Sequence, residues 1–347
     1  MVKAKQKLNL REHMRLLNEI NDSGKAEWPH VGRNTGWSVY DELVGATKDR
    51  LYLFAGGAGC GKSSFVTQIF FNLLTNNEDM VGIFFSMDLS YLDLVARLYA
   101  ISSKLTIEQI RDPSRITDED DLRSREEGLK VMESLQDRVI LVDQSHGIHS
   151  FKDVIKQMEN LRDENPNKPM VVAIDPISNL RTSEPGGRIE KIDYMVSELK
   201  SKARLLSTAV LLSSPLISGT RKERPHISDL ELQPSLVYDT DLVALLYSDV
   251  LTNGETPFLE WEFGTEDLMV PIVEMNVVKN KNASFMGRLF YRFFQSGTRY
   301  KECGIDENSY YNEMIGNLDY FTDPKAKKAD LKKRVYQAPK REYEGIF

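Results

Sequence analysis

The sequence predicts an α/β protein with a mainly parallel central sheet and an antiparallel hairpin at one edge. Short, continuous apolar runs alternate with amphipathic stretches from residue 34 to about residue 295. Parallel strands covered on both faces have this composition, because neither face meets water. The last two runs follow each other without a helix, and Asn253–Gly254 between them is typical of a hairpin turn.

The apolar runs give the order of the predicted elements. Seven runs are predicted as strands: 51–55, 81–86, 139–142, 170–174, 209–213, 242–248 and 272–278. Amphipathic stretches between them are predicted as helices: 63–74, 89–101, 151–162 and 189–206. An apolar fraction of 41% in 347 residues is enough to build one large core around such a sheet.

Composition excludes several classes of protein. Two cysteines exclude a disulfide framework and suit a reducing cytoplasm, and 21 glycines are too few for a collagen-like chain. No apolar run is long enough to span a membrane, and the basic start lacks the apolar stretch of a secretory signal. A net charge of -7 disfavours nonspecific coating of DNA, but it is compatible with a local basic channel.

Three segments are expected. Residues 1–33 form an arm with a short helix at 10–20, which either docks on a protein surface or frays. Residues 34–303 form the α/β domain. Residues 304–347 form a tail, strongly basic over 325–341, which is either solvated or in contact with nucleic acid or an acidic partner.

A phosphate-binding loop is the strongest motif. Residues 51–64 read LYLFAGGAGCGKSS, an apolar strand, a glycine-rich loop and the start of a helix, and they match G-x-x-x-x-G-K-[ST]. Backbone amides of such a loop converge on phosphate oxygens. We expect Lys62 to reach the β- and γ-phosphates and Ser63 to bind Mg²⁺. The ATP-binding residues are then Gly56, Gly57, Ala58, Gly59, Cys60, Gly61, Lys62, Ser63 and Ser64.

A carboxylate is needed behind the magnesium ion. Asp175, at the end of the run 170–174, is preferred over Asp143 as this second metal ligand, because its strand is longer and a loop follows it. The helix terminus would lower the thiol pKa of Cys60, although a space-filling role is the simpler interpretation. His146 and His149 lack the further ligands that a metal site needs.

Several segments, in a shared order over residues 35–300, resemble the RecA-fold ATPase domain of DnaB-type replicative helicases. These segments are Thr35-Gly36-Trp37, the run from Phe84 to Ser90 with Arg97 after it, the run from Val172 to Leu180, Arg224-Pro225-His226-Ile227-Ser228-Asp229-Leu230, the run from Asp239 to Val243, and Val278-Lys279-Asn280-Lys281-Asn282.

The resemblance implies an ATP-dependent helicase that forms a ring, usually a hexamer, with ATP between subunits and single-stranded DNA in the channel. A primase or a loader is the further partner that it implies, in a bacterial or viral replication context. Asp88 stands where the family has its catalytic glutamate, which orients the attacking water. Lys279 and Lys281 stand where the neighbouring subunit supplies basic residues to the γ-phosphate.

Three departures from the family pattern bear on turnover. Asp88 is one methylene shorter than glutamate, and Lys281 replaces an arginine and its planar fork. The run from Ser213 to Leu216 lacks the glutamine that senses the γ-phosphate in the family. Two other functions therefore stay open: a recombinase- or clock-type RecA-fold ATPase, and an ATP-binding scaffold with weak hydrolysis.

The resemblance also implies two DNA-contacting loops at the carboxyl edge of the sheet. Both combine flexible residues with basic ones, which suits contact with a phosphate backbone, and neither contains an aromatic side chain. The candidates are Arg181, Arg188 and Lys191 in the first loop, and Arg221, Lys222 and Arg224 in the second. The alternative is that both are solvated basic loops without a DNA contact.

Overall fold

A ten-stranded sheet organises the protein in the computed structural model. The structure describes residues 14–15, 32–148, 150–216, 224–230, 233–248, 251, 260–263 and 268–320. The strands are β1 Leu51–Gly56, β2 Val81–Ser86, β3 Val139–Asp143, β4 Met170–Asp175, β5 Thr208–Pro215, β6 Leu242–Tyr247, β7 Glu260–Phe263, β8 Leu268–Asn280, β9 Gly287–Phe294 and β10 Arg299–Glu302.

The strand order separates a parallel part from an antiparallel part. The order is β10-β9-β8-β6-β1-β5-β4-β2-β3, with β7 paired to β8. The six strands from β6 to β3 pair in parallel. β8, β9 and β10 continue the sheet beyond β6 in antiparallel pairs. The predicted parallel sheet with an antiparallel edge is confirmed.

Helices cover both faces of the sheet. They are α1 Ser38–Tyr40, α2 Lys62–Asn76, α3 Tyr91–Ser103, α4 Ile107–Arg111, α5 Glu119–Leu135, α6 Phe151–Glu164, α7 Arg188–Leu205, α8 Pro234–Tyr238 and α9 Ile305–Tyr320. A short π-helical turn, Asp41–Gly45, follows α1. Within the described residues, no helix has both the length and the apolar content needed to cross a membrane.

The sheet separates two large apolar cores. On one face, α2 and α3 pack on it through side chains such as Phe65, Phe70 and Leu98. On the other face, α6 and α7 pack through side chains such as Met158 and Val196. Strands β1, β2 and β4 are buried along their whole length, because both faces are covered. This layered core holds the carboxyl ends of the parallel strands in fixed positions.

The structure adds elements that the apolar runs do not predict. The seven predicted strands and four predicted helices are present, with ends that differ by at most four residues. α5, β9, β10 and α9 are among the additional elements. α9 packs Tyr311, Met314 and Ile315 against Ile272 and Phe290, so this helix belongs to the packed structure beyond residue 304, where the sequence predicts the start of a tail.

Several predicted features fall where the structure gives little or no description. Of the predicted N-terminal helix, only Met14 and Arg15 are described, and both are helical. Asn253–Gly254 and the basic run at 325–341 lie outside the described residues.

Candidate nucleotide site and basic segments

The glycine-rich loop lies between β1 and α2, as its sequence predicts. β1 ends at Gly56, and α2 begins at Lys62. Gly59 and Gly61 have φ angles of +74° and +89°, a region that side chains with a Cβ rarely adopt. A Cβ on Gly57 or Gly59 would meet no atom within 4 Å. The backbone of the loop is therefore accessible at the start of α2, where backbone amide groups can bind an anion.

The side chains around the loop point in different directions. The Lys62 ammonium donates to the carbonyl oxygen of Gly57, which keeps the lysine over the loop. Ser63 is half-buried at the helix start, whereas Ser64 is buried and accepts a hydrogen bond from Nη1 of Arg97 at 3.4 Å. Ser63 is thus the accessible hydroxyl of the pair. Ser64 instead contacts α3.

Asp175 lies beside this loop as a buried carboxylate. The strand between its own β4 and the loop strand β1 is β5, and Ser213 on β5 donates to Oδ1 of Asp175. Burial raises the pKa of Asp175, while the hydroxyls of Ser213 and Ser63 and the charges of Arg97 and Lys62 lower it in part. Among the described residues, Oδ2 of Asp175 has no hydrogen-bond partner. One buried oxygen is therefore available to a cation.

The two other acidic candidates are in different environments. Asp88 is exposed just beyond β2, and the N–H of Met87 donates to the carbonyl oxygen of Asp175 at 2.7 Å. This bond holds the end of β2 beside the carboxylate. Asp143 lies on β3 at the far edge of the sheet, and accepts from the backbone N–H of Tyr91 at 2.8 Å and from the hydroxyl of Ser145 at 2.5 Å. Asp143 thus stabilises a turn, and Asp175 remains the candidate metal ligand of the two.

The structure bears on two minor hypotheses from the sequence, one about Cys60 and one about His146 and His149. Burial raises the pKa of Cys60, which contradicts a thiol activated by the helix terminus. Its Sγ fills the space beside Gly56, as the simpler interpretation predicts. His146 bonds to Oδ1 of Asp143 at 2.9 Å, and His149 lies outside the described residues. In the part of the chain that is described, no group of three potential ligands could hold a metal ion.

Lys279 and Lys281 lie where the parallel strands begin, at the opposite end of the strands from the glycine-rich loop. Leu242, at the start of β6, pairs with Tyr52 on one side and with Asn280 on the other. The lysines therefore lie near the first residue of β1, Leu51. The glycine-rich loop leaves β1 at its other end, Gly56, five residues later. Five steps of about 3.3 Å put the two ends roughly 17 Å apart. One subunit does not bring these lysines to its own loop.

The two lysines differ in how firmly they are held. The Lys279 ammonium donates to the carbonyl oxygens of Val237, Tyr238 and Thr240, the last two at 3.0 and 2.7 Å, and so caps the end of α8. Burial and the charge of Lys281 lower its pKa to about 8. Lys281 is 44% exposed and its Nζ lies 3.6 Å from Oδ1 of Asp241. It is the more accessible cation of the pair.

Comparison with known proteins identifies the family of this arrangement. The sequence model of the family described as "DnaB-like helicase C terminal domain" matches residues 32–302. The chain belongs to this family.

The relatives that match the DnaB-like domain agree with that assignment. The chain is 27% identical to the replicative DNA helicase DnaC of Bacillus subtilis (strain 168) over 65% of this chain and 49% of the relative. It is 25% identical to the replicative DNA helicase DnaB of Geobacillus stearothermophilus, again over 65% and 49%. The chain thus spans about half the length of these relatives.

Two solved structures share the fold. One is the structure of an ATPase domain, which matches with a TM-score of 0.70 and 20% identity, covering 84% of this chain and 98% of that one. A DnaB-like replicative helicase, solved in a study of its interactions with primase, matches with a TM-score of 0.68 and 20% identity, over 86% and 68%. These likenesses support the RecA-like fold of the DnaB-like domain.

The first candidate DNA loop of this DnaB-like domain is exposed. It follows β4 and ends where α7 begins at Arg188. Arg181 and Arg188 are exposed and Lys191 is half-buried. The loop leaves the carboxyl end of β4, the same edge that carries the glycine-rich loop. Arg181 and Arg188 are therefore accessible at that edge, whereas Lys191 lies on α7, and DNA contact by these residues stays a prediction.

The second candidate loop has a different outcome. Arg221 and Lys222 lie outside the described residues. The Nε of Arg224 donates to Oε2 of Glu274 at 2.8 Å, and its guanidinium lies 5.2 Å from the ring centre of Tyr247. Arg224 thus takes part in an internal ion pair, and its assignment as a DNA-contacting residue stays a prediction.

Other residues at the site have partners that are distant in sequence. Glu274 is 3% exposed and also accepts from Nε of Arg288 at 3.0 Å. Tyr300 donates to the carbonyl oxygen of Gly61 at 3.1 Å, across 239 positions of sequence. The mostly apolar and aromatic run GRLFYRFF, which forms β9, is the signal that could have indicated an additional strand next to these residues.

Proposed function

We propose that the chain is the motor domain of a DnaB-type helicase, which hydrolyses ATP and translocates on single-stranded DNA during replication. The observation that best supports this proposal is that the glycine-rich loop and Lys281 lie at opposite ends of the strands of one sheet. A head-to-tail neighbour would bring the second end to the first, and heterologous contacts of this kind form a ring where the rotation between subunits closes. A homo-oligomeric ring, in this family's usual form a hexamer, is therefore part of the proposal.

Each residue of the loop edge has a part in the proposed reaction. Backbone amides from Gly57 to Gly61 and the ammonium of Lys62 would hold the β- and γ-phosphates of ATP. The Ser63 hydroxyl and Asp175 would hold Mg²⁺, and the partnerless Oδ2 of Asp175, buried among the described residues, supports this fit. Mg²⁺, when bound, supplies neutralisation of the phosphate charge. Asp88 would orient the attacking water, since it follows β2 beside Asp175.

The neighbouring subunit would supply the remaining charge. Lys281 is exposed enough to approach a γ-phosphate across an interface, where a cation stabilises charge that develops in the transition state. We propose that Lys279 positions this segment through the end of α8 and is not delivered to the phosphate itself, because three carbonyl oxygens hold its ammonium.

The proposed partners follow from the same arrangement. Arg181, Arg188 and Lys191 would contact the DNA backbone, and a ring would repeat them around its channel, which reconciles local positive charge with an acidic chain. The same role is proposed for Arg221 and Lys222. A primase or a loader would be a further partner. We propose the cytoplasm of a bacterial cell, or a viral replication complex within it, as the location.

A second candidate function is an ATP-binding scaffold with weak hydrolysis. Asp88 in place of glutamate, Lys281 in place of arginine and Ser214 in place of glutamine favour it. Membership of the DnaB-like family favours the helicase over a recombinase- or clock-type ATPase.

Steady-state ATP hydrolysis with and without single-stranded DNA tests the proposal, with the assembly state recorded by mass photometry on the same sample. We expect DNA-stimulated turnover by a ring. Lys62→Ala should abolish it, because the phosphates lose their main side-chain partner. Tight ATP binding with negligible turnover, with DNA or without it, would favour the scaffold. Turnover that survives Lys62→Ala would contradict the site itself.

A further inference from the structure

Tyr300 on β10 lies directly beneath the glycine-rich loop. It is 2% exposed, its ring stacks on Phe293 with centres 4.4 Å apart, and it meets Phe65 edge-on at 5.3 Å. Its hydroxyl donates to the carbonyl oxygen of Gly61 at 3.1 Å. Burial raises the pKa of Tyr300 well above its ordinary value, so the hydroxyl stays protonated and remains a donor at physiological pH.

The backbone of Tyr300 is fixed to the helix that follows the loop. Gln68 on α2 donates from Nε2 to the carbonyl oxygen of Tyr300 at 2.8 Å, and its Oε1 accepts from the N–H of the same residue. Gln68 is itself buried. A side-chain amide that pairs with both groups of one residue acts like a strand partner. The tyrosine ring is therefore held in one position relative to the loop.

The carbonyl of Gly61 has a specific geometric consequence. It already accepts from the N–H of Phe65 at 2.9 Å, and Tyr300 occupies its second lone pair. This carbonyl shares a planar, trans peptide unit with the N–H of Lys62, so the two groups point in opposite directions. Fixing the carbonyl therefore also fixes the direction of the Lys62 N–H, the amide of the first residue of α2.

We propose that Tyr300 is a positioning residue of the nucleotide site: its hydroxyl holds the Gly61–Lys62 peptide so that the Lys62 N–H faces the phosphates of the nucleotide. A carbonyl that accepts hydrogen bonds also polarises its peptide, which strengthens the N–H as a donor. This inference rests on the proposed function in one respect, which is that ATP is the ligand. The same arrangement explains why position 61 accepts no side chain, because a Cβ would lie 2.0 Å from the tyrosine oxygen.

Tyr300→Phe tests the role of the hydroxyl alone, and Tyr291→Phe is the matched control. Tyr291 is buried in the same aromatic cluster with its ring centre 6.3 Å from that of Tyr300, and among the described residues its hydroxyl has no hydrogen-bond partner. The dissociation constant for ATP is measured by isothermal titration calorimetry, and the melting temperature is measured without nucleotide. We expect Tyr300→Phe to bind ATP about fivefold more weakly, the effect of one hydrogen bond, and Tyr291→Phe to bind like wild type.

Each other result is informative. ATP binding by Tyr300→Phe equal to that of wild type would overturn the positioning role. Equal weakening in both variants would overturn it too, since general packing of the cluster would then explain the loss. Lys62→Ala separates this inference from the proposed function. If wild type binds no ATP, or if Lys62→Ala binds ATP as well as wild type does, both the proposed nucleotide site and the role of Tyr300 are wrong. If Lys62→Ala is the only variant that loses ATP binding, the nucleotide site stands and only the role of Tyr300 is wrong.

Discussion

Ser213 on β5 donates its hydroxyl to Oδ1 of Asp175 on β4, the buried carboxylate beside the glycine-rich loop. The other oxygen, Oδ2, is also buried and has no hydrogen-bond partner among the described residues. Burial raises the pKa of Asp175 because an ionised carboxylate loses hydration there. An ionised Asp175 therefore lowers the stability of the folded protein.

Asp175→Asn should stabilise the nucleotide-free protein. A carboxyl group whose folded pKa is raised contributes stability that is complete below its unfolded pKa and is lost as the pH rises through the folded value. At neutral pH the charge is thus unfavourable. Removing it should raise the melting temperature by about 2–4 °C, the response of a large domain to ~1 kcal/mol, and should abolish Mg²⁺-dependent turnover.

Asp143→Asn is the matched control for this stability gain. Burial alone would raise the pKa of Asp143, but hydrogen bonds from Ser145, from the N–H of Tyr91 and from His146 lower it to about 2. Its contribution to stability is present above the unfolded pKa and is lost as the pH falls toward 2. Asp143→Asn should therefore lower the melting temperature at neutral pH. Two shifts of the same sign, measured by differential scanning calorimetry, would contradict the difference between the two carboxylates.

Much of the parallel sheet could be predicted from the sequence, because buried strands must be continuously apolar. β4 reads MVVAID and is buried throughout, which leaves no other element type for so short a run. α5 could not be recognised in this way, since only Gly128 and Leu135 of its 17 residues are buried. Its sequence is mostly charged, and the apolar residues that pack on the core, Val131, Met132 and Leu135, occupy only its last turns, which is too short a stripe to predict a helix.

The candidate site could also be predicted only in part from the sequence. The glycine-rich loop is local in sequence, so spacing alone predicts Lys62 and Ser63. The bonds of Tyr300 to Gly61 and to Gln68 span 239 and 232 positions, and no pattern within one segment encodes such a pair. The internal ion pair of Arg224 was missed for the same reason, because its partner Glu274 is 50 positions away on another strand.

Asp88→Glu should raise turnover. Asp88 is exposed two residues after Ser86, which pairs with Asp175. A carboxylate one methylene short would hold the attacking water about 1 Å from its best position, and a misplacement of that size can cost up to about a hundredfold in rate. We expect kcat for ATP to increase at least roughly tenfold with little change in KM, whereas Asp88→Asn should be nearly inactive. An unchanged kcat in Asp88→Glu would remove the main support for a weakened site.

Glu274→Gln should destabilise the sheet edge. Glu274 is 3% exposed and accepts from Arg224 and Arg288, which are 24% and 30% exposed. Loss of its charge removes the buried anion that these two half-buried guanidinium groups share. The expected loss is about 2–3 kcal/mol, below the roughly 3–5 kcal/mol of fully buried pairs because both arginines reach water.

Urea denaturation measures that loss, with Asp79→Asn as the control. Asp79 pairs with Arg33 at 3.6 Å, and both side chains are well exposed, at 58% and 40%. Such a surface pair contributes at most about 1 kcal/mol. A Glu274→Gln variant as stable as Asp79→Asn would mean that the buried ion pair contributes no more than an exposed one.

Mixed rings should show that Lys281 acts on the neighbouring subunit. Lys281→Ala subunits keep an intact glycine-rich loop, and Lys62→Ala subunits keep an intact Lys281 at the opposite edge of the sheet. At equal mixing, about one quarter of the interfaces of a ring would then combine the two intact edges, so ATP turnover should reappear. Mixing Lys62→Ala with Asp175→Asn is the control, because both changes affect the same edge and no interface regains a complete loop. Turnover that reappears in neither mixture, or in both equally, would contradict the role of Lys281 across the interface.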